Sequence, residues 1–162
     1  MSVFATFNFK KIRNMLFSVA IAEGVGFLSA WISGMAGGVY YDSIIKPDFS
    51  PPGIVFAVVW PILYALMGIA AYLVYEKKTV HSQNAVKWYA ASLAANFLWP
   101  VFFFRFHLLG FSAIWLILLI FLVLNTIMKF AVIKKLSGVL MLPYILWLLY
   151  AFYLNYSIWL LN

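Results

Sequence analysis

No cysteine occurs in the 162 residues, so disulfides, thiolate nucleophiles and thiolate metal ligands are all excluded. Acid is nearly as scarce. Glu23, Asp42, Asp48 and Glu76 are the whole supply, too few to place paired carboxylates on two facing helices for hydrolytic chemistry. The only histidines, His81 and His107, fall in loops or at helix ends, so a bis-histidine haem or a multi-histidine zinc centre lacks its ligands. No metal and no cofactor are expected. Neither a Walker loop nor a G-x-S-x-G elbow is present, which removes the parts for ATP-driven transport and for serine hydrolysis.

What the chain has instead is apolar surface: 67% of residues are hydrophobic, 9% are charged, and the mean hydropathy is +1.02. A soluble domain of this size could not bury so much, and the excess must face lipid. Residues 49 to 75, 88 to 104, 106 to 128 and 136 to 162 carry no formal charge. A spanning helix needs about 20 apolar residues, or about 17 at the short end. Five segments qualify: about 15–35, 54–75, 87–104, 108–128 and 138–161. The expected fold is therefore all-α, a five-transmembrane-helix bundle forming one domain over 1–162. The basic N-terminal stretch resembles the start of a signal peptide. However, Glu23 interrupts the apolar run and no A-x-A-like site follows, so the segment is expected to stay as a helix.

The net charge of +7 does not point to nucleic acid, because the basic residues sit between the spans. Lys10, Lys11, Arg13, Lys77, Lys78, Lys87, Lys129, Lys134 and Lys135 all fall on one side, against Lys46 and Arg105 on the other. The positive-inside rule then predicts a cytoplasmic N-terminus and an outside C-terminus. The lipid bilayer is the expected partner.

One connection is long. Residues 36–53 combine glycines with Pro47, Pro51 and Pro52, a composition that breaks helices yet restricts the chain, and the segment reads as a structured lid. Pro61 and Pro100 lie inside apolar spans, where each removes a backbone hydrogen bond; the space beside such a kink is either functional or simply structural. Small residues around Gly24, Gly26 and Gly68 allow helices to approach closely, within one chain or between two.

Aromatic and polar residues recur at helical spacing. Trp60, Leu63, Tyr64, Met67 and Ala71 share one face of the second span; Asn96, Trp99 and Phe103 share one on the third; Trp147, Tyr150, Ala151, Leu154 and Asn155 share one on the fifth. Each stripe taken alone reads as core packing. Trp60 and Trp147 nevertheless lie too deep for the interfacial belt, where Trp31, Trp88 and Trp159 fit, and a deep indole N–H needs a partner. Asn96, Asn125 and Asn155 are expected to hydrogen-bond between helices. Glu23, the one carboxylate inside a span, is expected to face the bundle interior or a dimer interface.

The run KPDFSPPGIVFAVVWPILYALMGIAAYLVYEK at 46–78 is similar to the signature of the translocator protein family, also known as tryptophan-rich sensory proteins. NFLWPVFFF at 96–104 resembles the family's third-helix motif, and LPYILWLLYAFYLNYSIW at 142–159 its fifth. Phe49 and Ile54 depart from the pattern, standing where many members have Trp. The resemblance implies a five-helix bacterial membrane protein, usually a homodimer, with a pocket beneath the first loop. Family members bind tetrapyrroles such as protoporphyrin IX, and several bind sterols and benzodiazepine-type drugs. Carried over, the ligand-binding residues are Trp60, Tyr64, Asn96, Trp99, Phe103, Trp147 and Ala151, with Pro47, Pro51 and Pro52 shaping the lid. The function this implies is a membrane receptor or sensor for porphyrin-like tetrapyrroles or related hydrophobic small molecules. Two alternatives stay open: light-dependent porphyrin breakdown, in which Trp60 and Trp147 would be catalytic, and transport of hydrophobic metabolites.

Overall fold

The computed structural model describes residues 9–35 and 38–162, so Ala36 and Gly37 at the start of the expected lid lie outside the described residues. Every regular element among the described residues is helical: α1 (Phe9–Ser33), α2 (Val39–Ser43), α3 (Gly53–Tyr75), α4 (Val80–Pro100) with a π-helical turn Val101–Arg105, α5 (Leu109–Ile133), α6 (Lys135–Leu140) and α7 (Leu142–Leu161). Four stretches among these residues are long and apolar enough to cross a bilayer: α1, α3, α5, and α6 with α7 taken together. The α4 helix falls outside that set because its first two turns carry His81, Ser82, Gln83, Asn84 and Lys87.

The long helices close into a ring in the order α1, α3, α6 with α7, α5, α4 and back to α1. Large apolar side chains such as Phe17, Trp31, Ile117, Phe121 and Val132 are left exposed on its outside, in amounts that only lipid would cover. Buried Met67, Val74, Leu116, Leu119, Val123, Tyr144 and Leu148 fill the interior. Close approach of α1 to α3 depends on Gly68, where a Cβ would come within 2.6 Å of the Val19 Cα. The Ser18 hydroxyl donates to the Gly68 carbonyl at 2.8 Å across the same contact. At the polar end of this pair, Lys11 on α1 forms an ion pair with Glu76 at the end of α3. The Lys11 ammonium holds the Glu76 carboxyl below its ordinary range.

Several boundaries differ from the sequence-based expectation. The helix expected at 87–104 starts at Val80, because Thr79 and Ser82 form a reciprocal cap: the Ser82 N–H donates to the Thr79 hydroxyl at 3.1 Å and the Thr79 N–H to the Ser82 hydroxyl at 2.9 Å. Pro100 has no N–H for the Asn96 carbonyl, and the chain runs straight into the wider π turn. The segment expected as one helix over 138–161 begins at Lys135 and breaks at Met141, two residues before Pro143, whose missing N–H ends the continuous ladder. The first span lies at 9–33 rather than 15–35, and α5 runs to Ile133 rather than 128.

Candidate functional site

Beneath the lid, between α1 and α3, lies a cavity of about 510 Å³. From α3 it takes Gly53, Ile54, Phe56, Ala57, Trp60, Pro61 and Tyr64; from α1, Glu23, Gly26, Phe27, Ser29 and Ala30. Pro61 follows Ala57 by four residues and has no N–H to donate to it, so the helical ladder is interrupted on the cavity wall itself. Tyr64 reaches across to α1 because position 26 is glycine; a Cβ there would collide with the Tyr64 ring. The volume lies within the roughly 300–1,000 Å³ of small-molecule sites.

Behind this wall the aromatic rings continue without a gap. Trp60 stands 5.6 Å from Tyr64, 6.2 Å from Trp99 and 6.4 Å from Tyr144, ring centre to ring centre. Trp99 packs on Phe103 at 6.0 Å, and Phe103 on Tyr40 of the lid at 6.1 Å. Tyr40 in turn stacks on His107 at 3.9 Å. Trp99 donates its indole N–H to the Asn155 side-chain oxygen at 3.0 Å, and the Asn155 amide donates to the Leu109 carbonyl at 2.9 Å. Asn96 donates to the Tyr64 hydroxyl oxygen at 2.9 Å.

Seven buried polar atoms have no partner among the described residues: the indole nitrogens of Trp60 and Trp147, the hydroxyls of Ser50, Tyr89, Ser137 and Tyr144, and the side-chain oxygen of Asn96. Such groups are normally paired, since leaving one buried and unpaired costs about 1–3 kcal/mol. Three of the seven, on Trp60, Asn96 and Trp147, belong to the residues the sequence singled out.

Those residues do not all meet in one space. Trp60 and Tyr64 line the large cavity. Trp99, Phe103 and Ala151 line a separate void of about 20 Å³, too small for more than a water molecule. Asn96 sits behind Tyr64, and Trp147 lies on the far side of Phe56, its ring 5.7 Å away. Phe56 borders both spaces and was not singled out from the sequence. The signal for it was its place four residues before Trp60, one turn further along the same stripe. Gly26, Phe27 and Ser29 were missed as wall residues because α1 carries no aromatic stripe.

The lid is tied down at several points. Pro52 precedes the first turn of α3, the Ser50 N–H donates to the Pro47 carbonyl at 3.0 Å, and Tyr41 donates to the Pro51 carbonyl at 3.4 Å. Burial raises the Tyr41 hydroxyl above its ordinary range, so it remains a donor at neutral pH. Tyr150 donates to the Phe49 carbonyl at 2.7 Å. Ile45 and the Asn162 side chain exchange two bonds, of 3.0 and 2.9 Å. Lys46 donates to the Tyr41 carbonyl at 2.8 Å and lies 3.8 Å from Asp42.

Of the three asparagines, Asn96 and Asn155 bond between helices as expected. Asn125 does not: its amide donates at 2.8 Å to Phe121 on its own helix. A wider hollow of about 700 Å³ beside Phe9, Lys10, Arg13 and Leu16 has a single helix for its wall among the described residues. Among the described residues, no three His, Asp or Glu side chains converge as metal ligands would.

The amino-acid sequence that builds this bundle matches the model of the TspO/MBR family over residues 18–160. The chain belongs to the TspO/MBR family. A TspO protein of Archaeoglobus fulgidus, called tryptophan-rich protein TspO, is 30% identical over 93 residues, covering 57% of this chain and 61% of that protein. The translocator protein of Bos taurus is 34% identical over 96 residues, 57% of each chain. The tryptophan-rich sensory protein of Cereibacter sphaeroides is 46% identical over 65 residues, 40% of each. The matched stretch thus spans less than two thirds of each of these TspO/MBR relatives. Membership together with the apolar helices makes this an integral membrane protein.

Proposed function

We propose that this TspO/MBR protein is a membrane receptor that binds a porphyrin-like tetrapyrrole or a related flat hydrophobic molecule in the cavity between α1 and α3. The observation that carries the reading is Trp60: its ring forms the cavity wall while its buried indole N–H has no partner among the described residues. A flat macrocycle needs aromatic faces and a few polar contacts rather than an axial ligand, and Trp60, Tyr64 and Phe56 supply faces at the cavity. Asn96, Trp99, Phe103, Trp147 and Ala151 then act as the layer behind, fixing the wall. Opening beside Phe56 would join the smaller void to the larger one. The names of the relatives, a sensory protein and a translocator protein, are in keeping with a binder of small molecules.

The same proposal takes α4 as a fifth span. Its 21 residues extend roughly 30 Å at about 1.5 Å per residue, the thickness of the hydrocarbon layer. Lys10, Arg13, Lys78 and Lys135 then face the cytoplasm, and the lid faces outward. A second copy of the chain, docked through the exposed apolar faces, completes the assembly as a homodimer.

Titration of the purified protein with protoporphyrin IX, followed by tryptophan quenching, tests the reading. Trp60→Phe keeps a ring but loses the N–H, and affinity should fall by about fivefold, the weight of one ordinary hydrogen bond. A parent protein that does not quench with porphyrin overturns the proposal. Flux of porphyrin into sealed proteoliposomes would make the protein a transporter instead.

A further inference from the structure

The cavity is apolar on nearly every side, yet one charge-bearing side chain reaches it: Glu23. No lysine, arginine or histidine lines it among the described residues. Glu23 takes part in neither of the ion pairs the structure shows, Lys11 with Glu76 and Lys46 with Asp42. It stands ten residues before the end of α1, roughly 15 Å down the helix from the lid at about 1.5 Å per residue. That depth is where a carboxylate is costly without a counter-charge. It also lies one turn before Gly26, and Gly26 lies under the Tyr64 ring, so Glu23 sits one turn deeper than that ring on the wall of the same cavity.

A carboxylate among aromatic rings is the constellation that recognises an ammonium ion. The acid supplies the counter-charge, the rings supply the negative faces of their π-systems, and desolvation strengthens both. A dicarboxylate ligand finds the opposite: no cation in the cavity and one like charge at its floor. We propose that the cavity takes a flat aromatic ligand carrying a protonated amine, with the ammonium held by Glu23 next to Tyr64 and the flat ring lying against Trp60 nearer the lid. This rests on reading the cavity as the ligand site, and it adds the charge of the ligand's inward end. A porphyrin that enters the same cavity has to turn its propionates towards the lid.

The test uses probes of one shape and different charge: 1-pyrenemethylamine, 1-pyrenemethanol and the uncharged N-acetyl derivative of the amine, read by energy transfer from tryptophan in the purified full-length protein. The amine should bind the parent about tenfold more tightly than either neutral probe, as one desolvated charge contact predicts. In Glu23→Gln the ratio of amine to pyrenemethanol affinity, both measured on that variant, should shrink to about twofold or less. Equal binding of the three probes to the parent overturns the inference, since it means the carboxyl is neutral or turned away; that comparison needs no variant. An amine preference that survives Glu23→Gln also overturns it. Protoporphyrin IX, titrated alongside, separates the two ideas. Porphyrin binding without amine preference leaves the tetrapyrrole reading standing alone, and amine preference without porphyrin binding keeps the cavity but changes its ligand class.

Discussion

Gly26 of α1 lies beneath the ring of Tyr64 of α3, so close that the two helices can meet there only because position 26 has no side chain. Gly26→Ala should push Tyr64 off α1 and off the Asn96 amide it accepts from. Overpacking of this kind costs about 1–3 kcal/mol. Thermal unfolding in micelles measures it, and Gly24→Ala, whose added carbon meets nothing within 4 Å, is the control. Equal melting of the two variants would mean that α1 shifts freely along α3.

Asn155 serves two helices at once, accepting from Trp99 and donating to the Leu109 carbonyl. Asn155→Ala should leave the Trp99 indole stranded in the core and cost about 1–3 kcal/mol. Asn125→Ala should cost less, because Asn125 bonds only to its own helix at the surface. Denaturant midpoints of the two variants give the comparison, and the reverse order would refute it.

Tyr150→Phe removes the hydroxyl that holds the lid at Phe49 and little else. The expected result is porphyrin dissociation about threefold to tenfold faster, with a nearly unchanged melting temperature. A stopped-flow chase with excess unlabelled ligand reads the rate. An unaltered rate would show that the lid opens elsewhere.

The Lys11 and Glu76 pair ties the start of α1 to the end of α3 at an exposed site. Because the folded-state carboxyl titrates below its ordinary value, its stabilisation is present above the unfolded glutamate pKa of about 4.3 and fades as pH falls through the lower folded value. Glu76→Gln should therefore lower the melting temperature slightly at neutral pH and not at all in strong acid. Melting curves at the two pH values decide the point; a deficit that persists in acid would assign the effect to packing.

Much of this architecture was legible because lipid demands long apolar runs and tolerates few charges, which marks α1, α3, α5 and α7 directly. The start of α4 was not, since Val80 to Lys87 is polar and its helical signal is a Thr79 and Ser82 cap rather than hydropathy. On α5, Leu116, Leu119 and Val123 face inward while Ile117, Leu118 and Phe121 face out, and all are equally apolar. Periodicity is blind there; buried Ser112 and Thr126 are the sequence's only hints of the inner face. In the candidate site, Trp60 and Tyr64 were found from a stripe on a single helix. The partition that puts Trp99 and Trp147 behind Phe56 depends on how three helices and a lid meet, which no stripe encodes.

The unbroken file of rings from Tyr40 through Phe103, Trp99 and Trp60 to Tyr64 has an optical consequence. Indoles with ring centres 6.2 Å apart pass excitation between them by dipole coupling, so light absorbed at Trp99 also reaches Trp60. A quencher seated at Trp60 darkens both, and the light lost per bound molecule exceeds one tryptophan's share.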